Sequence, residues 1–225
     1  MDFPPTIVAA FIGFVSGLLI SIPVGPVNLT IMNEGARRGF KWAALIASGA
    51  LLMEVIYCAI AFTSFAALFQ KGMIKAAMEV FSFAFMLFLG VKFMLAKSVP
   101  VMDRIEHGIE ARIEKKLHPT SAFMTGFVRV LANPGVLVGW VILGANFISR
   151  GWLEPTTTSK LACIAGVTAG VGIWFFGLSW AISLGHKKYT ERTMLMMERG
   201  SGAVLLVFGL AHGIYLAWQL TKDKM

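Results

Sequence analysis

Charge is scarce in this chain. Asp, Glu, Lys and Arg make up 14% of its 225 residues, where a soluble domain has about a quarter. A surface wetted on all sides is therefore excluded. Cysteine is scarcer still: Cys58 and Cys163 both fall in apolar segments without a CxxC pattern. That gives no basis for a disulfide framework and leaves two buried thiols as the plain reading. The four histidines (His107, His118, His186, His212) form no HExxH or other paired spacing, so neither a metal site nor a cofactor is expected. The start, MDFPPTIVAAF, carries Asp2 and two prolines. It lacks the positive start and cleavage site of a secretory signal, so the amino terminus is expected to stay attached.

What fills the chain is apolar. Hydrophobic residues make up 57% and the mean hydropathy is +0.74, the signature of an all-α integral membrane protein. Six apolar segments stand out, at about 6–33, 41–69, 76–96, 120–149, 160–185 and 200–220, each long enough for the ~20 residues that a bilayer core demands. The net charge of +8 would suggest nucleic acid in a soluble domain, but here it reads as an orientation signal. Alternate connections carry 12 Lys and Arg on one side and 6 on the other. By the positive-inside rule the richer side is cytoplasmic and both termini face outward. In the third connection, about 97–119, Ile105, Ile109, Ile113 and Leu117 recur every four residues among charges, predicting an amphipathic helix along the cytoplasmic surface, in contact with lipid.

The halves resemble each other. GFVSGLLISIP (13–23) echoes GFVRVLANP (126–134), ASGALLMEVIY (47–57) sits beside AGVTAGVGIWF (165–175), and LFLGVKFML (87–95) beside LVFGLAHGI (206–214). With three helices per copy, the second copy starts from the opposite face of the membrane. The expected fold is a single domain over 1–225, built of two inverted three-helix repeats (about 6–96 and about 120–220) whose first and fourth helices are broken by proline.

The breaks carry the functional argument. Pro23, Pro26 and Pro134 cannot donate the backbone bond that a continuous helix needs, and in hydrocarbon such a break survives only where protein or a cavity supplies partners. Paired interruptions in inverted repeats point to a solute site near the midplane, with Asn28 and Asn133 placing an amide beside each break. Glu54 lies 13 residues beyond Lys41 (41 to 54), about 20 Å into the membrane at 1.5 Å per residue. An acid at that depth normally faces a cavity, pairs, or carries protons. His212, midway along the sixth segment, could titrate near neutral pH or partner Glu54 in proton coupling, with a histidine hydrogen-bonded within the bundle as the competing reading. Arg129 is a candidate contact for a solute carboxylate, with snorkelling to the interface as the competing reading. Trp140, Trp174 and Trp180 could line a cavity, but aromatic core or interface anchors are the commoner case. Glycines four apart (13/17, 135/139, 166/170, 209/213) let helices approach closely, either within the chain or in a homo-oligomer.

IPVGPVNLTIMNEGARRGFKWAALIASGALLMEVIY resembles the amino-terminal signature of the lysine exporter (LysE/RhtB) translocator family, and GFVRVLANPGVLVGW resembles its second signature, an Asn-Pro pair followed by tryptophan. Gly25, Pro26 and Asn28 match the first, Asn133 and Pro134 the second. Glu54 stands where the family usually has Asp, a longer side chain of the same charge. The resemblance covers nearly the whole chain. It implies six helices and export of an amino acid or related small zwitterion across the bacterial inner membrane, driven by the proton motive force. The partners are then a small solute, protons and lipid. Three other classes fit less well. A metal-ion exporter or channel would want more than one midplane acid, and an intramembrane enzyme would want a nucleophile with its base. A thiol electron conduit would want equivalent reactive cysteines, which Cys58 and Cys163 are not in the repeat alignment.

Overall fold

The computed structural model describes residues 4–23, 25–64, 72–96, 121–149, 152–154, 156–184 and 191–222. Among them the chain is helical, with no strand. The helices are α1 (Pro5–Ser21), α2 (Pro26–Arg38), α3 (Phe40–Ser64), α4 (Gly72–Met94), α5 (Ala122–Leu131), α6 (Pro134–Ser149), α7 (Thr157–Ser183) and α8 (Glu191–Lys222). The amphipathic stretch of 97–119 lies outside the described residues.

Local chemistry sets the boundaries. Pro5 and Pro26 stand at the start of α1 and α2, where a missing N–H costs nothing. The α2 helix ends on Gly39, whose φ of 84° is the left-handed conformation that glycine adopts without penalty, and whose N–H closes on Gly35 O at 2.9 Å. In the last turn Arg38 pairs with Glu34 at 3.0 Å and lies 4.6 Å from the Trp42 ring. The side chains of Ser121 and Thr156 cap α5 and α7, each satisfying an N–H of the first turn. The segments expected at 6–33 and 120–149 are each two helices. They bend by 70° between α1 and α2 and by 62° between α5 and α6, at the prolines that the sequence marks.

Among the described residues α3 and α7 are by themselves long and apolar enough to cross a membrane, and counting each bent pair as one crossing gives up to four. The segments expected at 76–96 and 200–220 fall on α4 and α8, with α8 beginning well before the apolar run. Large apolar side chains face outward along the bundle, among them Ile7, Phe11, Val80, Phe88, Leu161, Ile173, Val207 and Ile214. Such a surface suits lipid and not water.

At the centre α3 packs against α7, with α1 on α7, α5 on α3, and α2 against both central helices; α6 lies on α3 and α4, and α4 pairs with α8. Glycine permits the closest approaches. A Cβ at Gly13 would strike Cys163 O, one at Gly166 would strike Ala10 O, and one at Gly17 would stand 2.7 Å from Val167 O. The α5–α3 crossing is built alike: a Cβ at Gly126 would strike Ile46 O, and one at Gly49 would strike Phe123 O. These contacts correspond residue for residue. Gly13 matches Gly126 and Ala10 matches Phe123 (113 apart in each case), while Cys163 matches Ile46 and Gly166 matches Gly49 (117 apart). For α3 and α7 this register is one residue off the sequence alignment, which sets Gly49 beside Val167. On the other side of the bundle, a Cβ at Gly202 would meet Met94 N at 2.6 Å, and Arg199 holds Ala96 O through Nε (3.1 Å) and an Nη (2.9 Å).

Candidate functional site

A proline break leaves carbonyls without their helical partners, and side chains reach some of those carbonyls at each break. At the first break the Asn28 amide nitrogen donates to Ser21 O at 2.8 Å and to Pro23 O at 2.7 Å. Its oxygen accepts the Trp174 indole N–H at 3.2 Å. Both donors and one of the two lone pairs of this amide are thus engaged inside the protein. Asn28 staples the end of α1 to the first turn of α2 and ties both to α7. Within α2, Thr30 donates its hydroxyl to Pro26 O at 2.7 Å.

Gly25 is extended just before α2 (φ −105°, ψ −176°), has no side-chain cap above it, and a Cβ built there would meet nothing within 4 Å. The opening turn of α2 therefore begins at an open spot, with N–H groups that a helix start leaves unpaired.

At the second break Tyr57 reaches over from α3 and donates its hydroxyl to Leu131 O at 2.9 Å, at the end of α5. Asn133 turns its side-chain oxygen onto Gly135 N at 3.0 Å and caps α6, opening the helix as an Asx residue ahead of proline does. Pro134 opens α6. Arg129 is half-buried in the last turn of α5, two residues before the carbonyl that Tyr57 binds.

Glu54 is buried, 7% exposed, and its Oε2 accepts the Trp140 indole N–H at 2.6 Å. Trp140 is wholly buried in α6. The acid that the sequence singles out therefore sits against the second broken helix and has an indole as its partner. His212 lies on α8, which packs mainly on α4; its side chain is outside the described residues. Cys58 and Cys163 are free and buried in the core around α3 and α7. Trp180 faces outward.

The sequence reading missed Tyr57 and the roles of Trp140 and Trp174. A usable signal existed: each is an apolar-bodied side chain with a single polar hydrogen, and inside hydrocarbon that hydrogen needs an acceptor.

The LysE type translocator family matches residues 18–216, which spans both breaks and Glu54. The chain belongs to this family. Among curated proteins the translocator is 24% identical over 199 residues to the "Putative amino acid efflux protein YcgF" of Bacillus subtilis (88% of this chain, 92% of that protein). It is 23% identical over 205 residues to the "Uncharacterized membrane protein YrhP" of the same organism (89% and 95%). It is also 23% identical over 197 residues to the "Chemotactic transduction protein ChpE" of Pseudomonas aeruginosa (87% and 91%). No solved structure matches.

Proposed function

We propose that this translocator exports an amino acid or similar small zwitterion across the bacterial inner membrane in exchange for protons. It does so as six crossings in two inverted repeats, with both termini outward. The observation that carries the reading is the arrangement of the two broken helices. Each is bent at proline, each is tied at its break to the second helix of the other half, and a buried acid lies against the second of them. The matching glycine contacts of α1 on α7 and of α5 on α3 support the repeat. The name of the Bacillus relative YcgF supports the class of solute.

In this reading the solute carboxylate meets the open first turn of α2 beside Gly25 and Pro26, where the N–H groups of Val27 and Asn28 at the helix start favour negative charge. Asn28 offers its remaining lone pair and Asn133 its amide nitrogen to the solute ammonium and carboxylate respectively. Pro23, Pro26 and Pro134 keep the helices open, and Arg129 is the second candidate for the carboxylate. Glu54 carries the proton, because the low dielectric penalises its charged form and water reaching it from one side or the other decides when it releases. His212 is the second candidate for that role.

The test is solute efflux from proteoliposomes with and without an imposed pH gradient, at matched insertion. Glu54→Gln, a permanently uncharged mimic of the protonated acid, is expected to fold and to lose the response to the gradient. A parental response in that variant would make Glu54 structural.

A further inference from the structure

One face of α3 grips the second broken helix on both sides of its bend. Tyr57 holds Leu131 O at the end of α5, and Glu54 holds the Trp140 indole within α6; residues three apart lie on the same side of a helix. The two grips differ in kind. The phenol and the carbonyl both stay neutral whether or not a neighbouring carboxyl holds its proton, so their bond does not change in kind. An indole N–H can only donate, whereas its acceptor on Glu54 changes charge. A hydrogen bond to a carboxylate is about twice as strong as one to a neutral oxygen. This pair is also well removed from water, with Trp140 at 0% and Glu54 at 7% exposure.

Resting on the reading of Glu54 as the proton carrier, we propose that Trp140 is a positioning residue that carries the proton state of Glu54 into the α6 half of the broken helix. The ionised carboxylate grips the indole and holds α6 against α3. Protonation loosens that grip while Tyr57 keeps α5 in place, so the change is taken up at the 62° bend between them. Asn133 and Pro134 stand at that bend, and the solute-facing turn of α6 therefore answers to the proton.

The ionisable surroundings are sparse. On α3 itself Tyr57 and Cys58 are within electrostatic reach of Glu54, and Cys163 of α7 is within reach of Cys58. By sequence α6 carries no ionisable side chain, α5 carries only Arg129, and α7 adds Lys160 in its first turn. The charges of α2 are Glu34, Arg37 and Arg38 near its end. Among the described residues Trp140 is thus the hydrogen-bond partner of the acid, and a signal from it reports that acid.

The test uses full-length protein. Trp140→Phe removes the N–H and keeps an aromatic ring. In proteoliposomes the ratio of gradient-driven accumulation to solute exchange is expected to fall about tenfold, the factor separating a charge-assisted bond from a neutral one. In nanodiscs, the tryptophan emission of the parent minus that of Trp140→Phe is expected to show a pH step that disappears when the same difference is taken in Glu54→Gln. Glu54→Asp parts the pair from the other side without touching the indole, and is expected to exchange solute with a reduced gradient response even where Trp140→Phe fails to insert.

A parental ratio in Trp140→Phe or in Glu54→Asp, or an emission step that survives in Glu54→Gln, overturns the role of Trp140. If instead Glu54→Gln itself keeps the parental gradient response, the proton-carrier reading falls first and this role falls with it.

Discussion

Tyr57 in α3 and Trp174 in α7 hold the same station in the two central helices. Each lies eight residues after the glycine on which its helix closes against the other half's first helix (49 to 57, 166 to 174). Each sends its polar hydrogen to a break: Tyr57 to Leu131 O directly, and Trp174 to Asn28, which in turn holds Ser21 O and Pro23 O. The breaks are therefore held by equivalent hands with unequal reach.

Tyr57→Phe leaves Leu131 O without its donor, a loss of about 0.5–1.5 kcal/mol for a part-buried hydrogen bond. Trp174→Phe costs less, because Asn28 continues to hold its two carbonyls. The expected order of thermal stability in detergent is parent, Trp174→Phe, Tyr57→Phe, read from the unfolding midpoint of purified protein. Equal midpoints in all three would show that the two bonds carry no net stability.

Asn28 binds with both of its N–H groups, and a carboxyl in its place cannot. Asn28→Asp sets oxygen lone pairs against Ser21 O and Pro23 O, whereas Asn28→Ala only withdraws the donors. Asp is expected to be the more damaging of the two, by ~1 kcal/mol or more, in the same unfolding assay. A variant pair that changed the solute KM while leaving the midpoint untouched would mean that the amide serves the solute and not the break.

The glycine crossings admit no side chain. Gly126→Ala puts a methyl into the Ile46 carbonyl and Gly166→Ala puts one into Ala10 O, backbone contacts that only helix separation relieves. Both are expected to lower the amount of folded protein recovered from membranes. Gly177→Ala, whose Cβ would meet nothing within 4 Å, serves as the control and is expected to match the parent. Fluorescence-detected size exclusion of tagged variants measures all three.

Replacing Pro26 or Pro134 by Ala restores an N–H at the first position of α2 or α6 and lets each broken helix close. The protein is expected to insert and to lose most of its transport, measured as efflux at matched insertion. Normal transport in the double variant would assign the prolines to packing alone.

The positions of the breaks, the apolar character of the chain and the placement of Glu54 well inside a long apolar helix were legible in the sequence because each is a local property. Proline lacks its N–H wherever it stands, hydropathy adds along a segment, and a helix rises by a fixed amount per residue. The correspondence of Gly13 with Gly126 was legible too, since each opens the same Gly-Phe-Val triplet. Other features needed the tertiary structure. Nothing local tells that Trp140, 86 residues away, meets Glu54, that Tyr57 spans 74 residues to Leu131, or that Asn28 spends its donors on the break beside it. Those partners depend on which helix faces which. That choice is made by backbone approaches at Gly13, Gly49, Gly126 and Gly166, where the absence of a side chain on one helix is matched to a carbonyl on another.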